Sequence, residues 1–311
     1  MTKKAYNVFV CLEEMALEDR LAYIVPPEYE NAEVLTLLRR ELRLSTALLR
    51  RLKCVPEGIL LDGSHVTVRA RVKPGQTLSI LREPPAGERR VEPQNGPLRI
   101  VYEDVDLLIL DKPVGLAVHP SPGHTGDTLA NYVAAYLDGK AAFHAVNRLD
   151  RGTGGLMCVA KNKLAAQRLA LQLQGGELHR AYRAVVDGVG LLDHGVIDLP
   201  IGRVEGNGIR RQILADGQSA VTRYARLAEG HSRTLLRLEL ETGRTHQIRV
   251  HMAHLGHPVT GDFLYGTELS WLDGFALCSA ELHLHQPSTD VFLSFSISEP
   301  DWFTRLLDES I

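Results

Sequence analysis

Apolar positions recur at helical spacing early in the chain and at strand spacing soon after it. Val34, Leu37, Leu38 and Leu42, with Glu41 among them, give most of a helical stripe, and Ser45 stands where a side-chain oxygen caps a second short helix, TALLRRLK. The stretch GILLDGSHVTVRARVKPGQTLSI then alternates apolar and polar residues around Asp62-Gly63 and Lys73-Pro74-Gly75, as paired strands do. A compact module of two helices and a hairpin is predicted. After it REPPAGERRVEPQNGP, Arg82 to Pro97, concentrates proline, glycine and charge and reads as a linker. The expected organisation is an N-terminal extension and small domain over 1–81, a linker over 82–97 and a larger domain over 98–311.

In the larger domain DLLILDKPVGLAVH reads as strand, tight turn, strand, and LMCVAK as a short buried strand. A helix from about Lys163 ends at Gly175-Gly176. YRAVVDG and TLLRLELETG are further strands, the second placing Leu236, Leu238 and Leu240 on one face and Arg237, Glu239 and Glu241 on the other. Thr245 is placed to cap a helix HQIRVHMAHL whose Ile248, Met252 and Leu255 share a face, with Gly256 as its stop and Pro258 beyond. The predicted fold class is α+β: a mixed, mainly antiparallel sheet with a central cleft, joined to a small α+β module.

Composition narrows this picture. At 311 residues the chain exceeds the roughly 250 to 300 at which a single core stops growing, which favours two units. Hydrophobic residues at 44% and charged residues at 23% disfavour disorder and fibrous repeats. A net charge of -3 argues against indiscriminate coating of nucleic acid, so local patches decide what is bound. Cys11, Cys54, Cys158 and Cys278 are too scattered for a zinc ribbon or a disulfide framework and read as reduced thiols. Glu13 and Glu14 interrupt any signal-peptide core, and a cytoplasmic protein with no membrane association is expected.

Two stretches carry candidate chemistry. NRLDRGTGGL, Asn147 to Leu156, holds one acid, Asp150, between two arginines and ahead of three glycines. It is read either as a soluble turn or as a loop whose glycines let backbone approach a substrate while an arginine keeps the carboxylate ionised as a nucleophile. Glycoside chemistry needs a second carboxylate to protonate the leaving oxygen, whereas a leaving group that is a stable anion, such as uracil, has less need of one. The second stretch, ETGRTHQIRVHMAHLGHPVTGD, holds His246, His251, His254 and His257, but HExxH is absent and the spacing matches no common zinc motif. Arg244 and Arg249 are the better clue. Arg249, on a helix packed through Ile248 and Met252, is predicted to reach inward toward an anionic partner or a phosphate. In the small domain Arg39, Arg40, Arg43, Arg50, Arg51 and Lys53 form a basic run, read either as a solvated face or as a phosphate-backbone footprint.

Together these residues resemble an RluA-type pseudouridine synthase. LLILDKPVGLAVHP resembles the family's first motif, NRLDRGTGGLMCVAK the catalytic loop usually written HRLDxxTSGLLLLAK, and TGRTHQIRVHMAHLGHPVTGDFLYG the third. The N-terminal YIVPPEYENAEVLTLLRRELRLSTALLRRLK and the hairpin after it resemble an alpha-L RNA-binding domain. The resemblance implies isomerisation of a uridine in RNA without cofactor or metal. Large-subunit ribosomal RNA is expected, because the attached alpha-L domain is usual in relatives acting there, with tRNA as the other candidate. Nothing in the sequence demands more than a monomer or an obligate protein partner. By motif match it implies Asp150 as the catalytic aspartate, Arg249 as its paired arginine and Tyr182 as the tyrosine that stacks on the base and relays a proton. Arg148 corresponds to the arginine that enters the RNA as the target nucleotide flips out, and Ile248 packs on the base from the other side. Asn147, Thr153 and Arg244 complete the expected substrate contacts. Asn147 stands where the family usually has histidine and Gly154 where it has serine. The alternative is a catalytically inactive RNA-binding or ribosome-assembly protein.

Overall fold

The computed structural model describes residues 19–83, 91–121, 125–138, 143–206, 208–272 and 274–308. The N-terminal extension before residue 19, with Cys11, and residues 84–90 of the expected linker lie outside the described residues. The chain divides into two compact units, one formed by Met1–Arg89 with Asn162–Gln167, the other by Arg90–Lys161 with Arg168–Ile311. The expected division left Asn162–Gln167 in the larger domain. This segment groups instead with the first unit, because Leu164 is buried in that unit's core.

The first unit comprises β1 (Arg20–Ile24), α1 (Val34–Arg40), α2 (Thr46–Lys53), β2 (Ile59–Leu61), β3 (Ser64–His65) and β4 (Thr77–Leu81), with an antiparallel sheet in the order β1-β4-β2-β3. The helical stripe is buried: Val34, Leu37 and Leu38 are fully inside, as are Leu48, Leu49 and Leu52 of α2. Ser45 caps α2, its Oγ accepting from the Leu48 amide at 3.2 Å, a contact worth about 1 kcal/mol. The alternating run after Asp62-Gly63 forms only two residues of strand, Ser64 and His65, before leaving the sheet.

The second unit comprises β5 (Ile100–Glu103), β6 (Leu107–Lys112), α3 (Leu129–Tyr136), β7 (His144–Ala145), β8 (Gly154–Ala160), α4 (Lys163–Gly175, whose first turn groups with the first unit), β9 (His179–Asp187), β10 (His194–Asp198), β11 (Ile201–Arg203), β12 (Arg211–Ile213), β13 (Val221–Glu229), β14 (Arg233–Leu240), α5 (Gln247–His254), β15 (Leu277–His285), β16 (Phe292–Ser296) and α6 (Trp302–Asp308). Its sheet follows the path β10-β13-β14-β9-β15-β8-β6-β5, with β16 on β15 and β7 on β8. Among the described residues every strand pairing in it is antiparallel except β15 with β8, so the sheet is mixed and mainly antiparallel, as expected.

Two local expectations need correction. The turn after β6 is not followed by a second strand: Ala117 makes only an isolated parallel bridge to Thr128, and the carbonyls of Leu116, Ala117 and Val118 are taken up by Lys112 Nζ and the amides of Leu129 and Ala130. Thr245 does not cap α5. His246 holds that position with left-handed backbone, φ 59°, and offers no side-chain cap. Gln247 restrains the turn instead, accepting from the Arg244 amide and the Thr242 hydroxyl and donating to the Val221 carbonyl at 2.9 Å.

Candidate active site

The loop carrying Asp150 joins β7 to β8 near the parallel junction of β8 with β15. Its glycines stand against the protein's own packing. Gly155 has φ +104°, and a Cβ there would stand 2.3 Å from the Ser279 carbonyl oxygen of β15. At Gly152 a Cβ would stand 2.6 Å from the Phe275 ring, and at Gly154 it would crowd Val114 at 3.1 Å and the Lys112 carbonyl at 3.3 Å.

The turn after β6 braces the same loop. Gly115 and Arg151 exchange two bonds: the Gly115 amide donates to the Arg151 carbonyl at 2.9 Å, and Arg151 Nε donates to the Gly115 carbonyl at 2.8 Å. Lys112, 1% exposed, donates from Nζ to the carbonyls of Pro113 and Leu116 at 2.8 Å and of Arg151 at 3.3 Å. Burial lowers its pKa to about 8, against the opposing pull of Asp150 and Asp111. The lysine of the LDKP stretch thus organises the loop from beneath, a role that sequence reading did not assign.

Asn147 does not join the cleft. It is buried, its Oδ1 accepts from the Cys158 amide at 2.8 Å and its Nδ2 donates to the Leu156 carbonyl at 3.4 Å. It therefore holds the two arms of the loop together, in place of the substrate contact expected of it. Thr153 is buried at the loop's turn, its amide donating to the Asp150 carbonyl at 3.1 Å.

Arg249 reaches inward from α5, as its helical position predicts. Its Nη1 donates to Asp150 Oδ2 at 2.9 Å, across 99 residues of sequence. The remaining edge of the guanidinium grips Asp262, Nε to Oδ2 at 2.6 Å and Nη2 to Oδ1 at 2.8 Å. Asp262 is fully buried and is itself held by the amides of Leu264 at 3.0 Å and Tyr265 at 3.3 Å. This bidentate clamp fixes the arginine's orientation, and the rings of Phe275 and Tyr265 lie 4.2 and 5.1 Å from its centre. Burial opposes its charge, yet the bonds to Asp262 and Asp150 raise its pKa above the ordinary value. Asp262 was missed in the sequence. Its signal was the aspartate closing the third motif, but nothing there shows that it faces Arg249.

Tyr182, Ile248, Arg148, Arg244 and Thr153 line one cleft with Asp150 and Arg249, as does His246. Tyr182 is 4% exposed, and burial raises its pKa, so the phenol stays protonated near neutrality. His246 Nε2 lies 3.9 Å from Asp150 Oδ1, while its Nδ1 meets the Tyr265 hydroxyl at 2.9 Å. Burial lowers its pKa, so it is mainly neutral at pH 7. Arg148 and Arg244 are exposed at the rim, and Arg244 Nε donates to the Ser219 carbonyl at 2.9 Å. The cleft is shallow, holding about 50 Å³, below the roughly 300 Å³ of a typical small-molecule site.

Two of the other histidines of the third motif, His251 and His257, serve structure. His251 is fully buried between the Thr222 hydroxyl at 2.9 Å and the Leu199 carbonyl at 3.0 Å, and His257 Nδ1 meets the Asp187 carbonyl at 3.0 Å. Among the described residues no group of three or more His, Cys, Asp or Glu is arranged to hold a metal ion.

A family model described as RNA pseudouridylate synthase matches residues 106–254. The uncharacterized RNA pseudouridine synthase YlyB of Bacillus subtilis (strain 168) is 37% identical over 258 residues, covering 80% of this chain and 84% of the relative. The chain belongs to the RNA pseudouridylate synthase family. Members similar to it include the ribosomal large subunit pseudouridine synthase D of Pseudomonas aeruginosa, 39% identical with 80% of this chain and 82% of that one covered. The enzyme of the same description from Escherichia coli (strain K12) is 36% identical, with 81% and 78% covered. The solved structure of human RNA Pseudouridylate Synthase Domain Containing 1 matches with a TM-score of 0.55 at 28% identity, over 68% of this chain and 86% of the other. Family membership makes the chain an RNA-modifying isomerase by class. No helix among the described residues is long and apolar enough to cross a membrane.

Proposed function

We propose that this chain converts uridine to pseudouridine in large-subunit ribosomal RNA, with Asp150 as its catalytic carboxylate. The observation that carries the reading is the ion pair of Asp150 with a clamped, buried Arg249 at 2.9 Å, in a cleft shared with Tyr182 and Ile248. Asp150 is positioned to attack C1′ of the ribose of an extruded uridine as the bond from C1′ to N1 breaks and uracil departs as an anion. After the ring turns, C5 bonds to C1′ and the carboxylate is released. The C5 proton is then lost and N1 gains one, so the reaction is balanced without a co-reactant.

Arg249 holds the carboxylate in place before attack. Tyr182 and Ile248 supply apolar surface on which the uracil stacks while it is free to turn. A protonated Tyr182 phenol can relay a proton only by giving up its own as it takes another. The departures from the family pattern leave this machinery intact: Asn147 and Gly154 pack the loop's interior and remove nothing from the cleft. That supports an active enzyme over an inactive RNA-binding protein.

The first unit fits an RNA-binding module of the alpha-L kind. Arg39, Arg40, Arg43, Arg50 and Lys53 are exposed on or beside α1 and α2, and Arg51 is half-buried. Such a module raises the effective concentration of RNA at the catalytic unit while the cleft selects the nucleotide. The names of the relatives favour large-subunit ribosomal RNA over tRNA. Incubating the purified chain with transcripts of both and mapping pseudouridine tests this: product in the ribosomal transcript alone is expected, and product only in tRNA overturns the assignment.

A further inference from the structure

A larger cavity, of about 600 Å³, shares Leu240 with the cleft and lies wholly within the second unit. Most of its charged lining is neutralised. Arg223 pairs with Glu241 at 2.6 Å, and Arg237 pairs with Glu281 at 2.7 Å and with Glu239. Arg180 is different. It is 6% exposed, its Nε is buried with no hydrogen-bond partner, and no carboxylate among the described residues lies within ion-pair distance of it.

A buried guanidinium without an anion is strongly disfavoured unless a ligand supplies one. The surroundings leave room for that ligand. A Cβ on Gly243 would stand 3.3 Å from Arg180 Nη1, so the guanidinium lies beside the Thr242-Gly243 turn, and the next residue, Arg244, lines the cleft. Arg180 precedes Tyr182 by two residues on β9, which puts both side chains on one face of the strand, their Cα atoms about 7 Å apart. An anion at Arg180 is therefore next to whatever occupies the cleft.

We propose that this cavity takes a backbone phosphate of the RNA strand, bound by Arg180, beside the nucleotide held at Asp150. The planar fork of arginine matches two phosphate oxygens, and the strand entering the cleft carries the nearest such anions. The identity of the strand as RNA rests on the isomerase reading above; the anion site itself rests on the unpaired arginine.

The test uses the full chain and an RNA hairpin whose loop holds a single uridine. The phosphodiester on each side of that uridine is replaced in turn by a neutral methylphosphonate, and binding is measured across a range of KCl. One replacement should weaken wild-type binding about tenfold and lower the salt slope by about 0.7 to 0.9. Arg180→Gln should do the same with unmodified RNA and should no longer respond to the neutral linkage. Arg180→Lys, which keeps the charge but loses the fork, should fall between. Wild-type affinity and slope indifferent to both replacements overturn the site, whatever the variants do, because the change is then in the RNA alone. Arg180→Gln that stays as sensitive to the neutral linkage as wild type also overturns it. Tritium release from 5-tritiated uridine in the unmodified hairpin and in ribosomal transcript, measured in parallel, separates the two readings. A linkage effect without release from either RNA sinks the isomerase and leaves the phosphate site, and release without a linkage effect does the reverse.

Discussion

Replacing Arg249 by methionine separates what the buried arginine does for the fold from what it does for chemistry. Its two partners sit in different surroundings: the Asp262 side chain is fully buried, while that of Asp150 is 26% exposed. Removing one partner of a buried ion pair costs about 3 to 5 kcal/mol, whereas a pair reached by water contributes about 1 kcal/mol or less. Most of the lost stability should therefore come from Asp262, left as an unpaired charge with only two backbone amides. Most of the lost activity should come from Asp150, no longer held in one orientation. Arg249→Met is expected to lower the unfolding free energy by about 3 kcal/mol or more in urea titration. It should also reduce tritium release from 5-tritiated uridine in RNA by at least about a hundredfold. Adding Asp262→Asn removes the stranded charge and keeps an acceptor for the amides. The double variant should regain about 2 kcal/mol of stability, an interaction energy typical of contacting residues, and no activity. A double variant no more stable than Arg249→Met, or one that recovers turnover, refutes this division.

Gly155→Ala should destabilise the second unit by about 3 to 5 kcal/mol, combining positive-φ strain with the clash against Ser279, and lower the thermal midpoint; a near-neutral midpoint contradicts the close approach of β8 to β15. Lys112 has a depressed folded pKa of about 8 against an ordinary 10.5, so between these values the unfolded chain binds more protons and stability rises with pH. Relative to Lys112→Met, wild type should gain up to about 3 kcal/mol from pH 8 to 10.5 in urea unfolding, and a constant difference over that range would falsify the assignment. Charge reversal at Arg39, Arg40 and Arg43 should weaken RNA binding and flatten its salt dependence while leaving the single-turnover rate at saturating RNA within about twofold; a large fall in that rate argues against a pure docking role.

Much of the local structure was legible because single residues dictate it. Ser45 begins α2 where its hydroxyl can cap, and the alternation of Leu236, Leu238 and Leu240 describes β14 correctly. The inward path of Arg249 was readable from its neighbours on α5, and the resemblance named Asp150 as its partner, but its second partner was not readable. Asp262 lies 13 residues further along the chain, and only the fold brings it under the guanidinium. The apparent cap of α5 at Thr245 failed because His246, in left-handed backbone and with its ring on the Tyr265 hydroxyl, holds that position instead. Gly152, Gly154 and Gly155 were read as letting backbone approach a substrate; at Gly152 and Gly155 the close neighbours belong to the chain itself. What approaches is Phe275 and β15, residues more than a hundred positions away. The thiols of Cys158 and Cys278 are buried and unpaired, consistent with their scattered spacing.

Asp150→Asn keeps the size and hydrogen-bonding shape of the side chain and removes its nucleophilic charge, so it leaves the fold aside and addresses the chemistry alone. Single-turnover conversion of uridine to pseudouridine in large-subunit ribosomal RNA, read by nucleoside mass spectrometry, should be complete with the wild-type chain. With the folded, RNA-binding variant it should be undetectable. Pseudouridine formed by the variant at a rate near that of wild type would contradict the assignment of Asp150 as the attacking group.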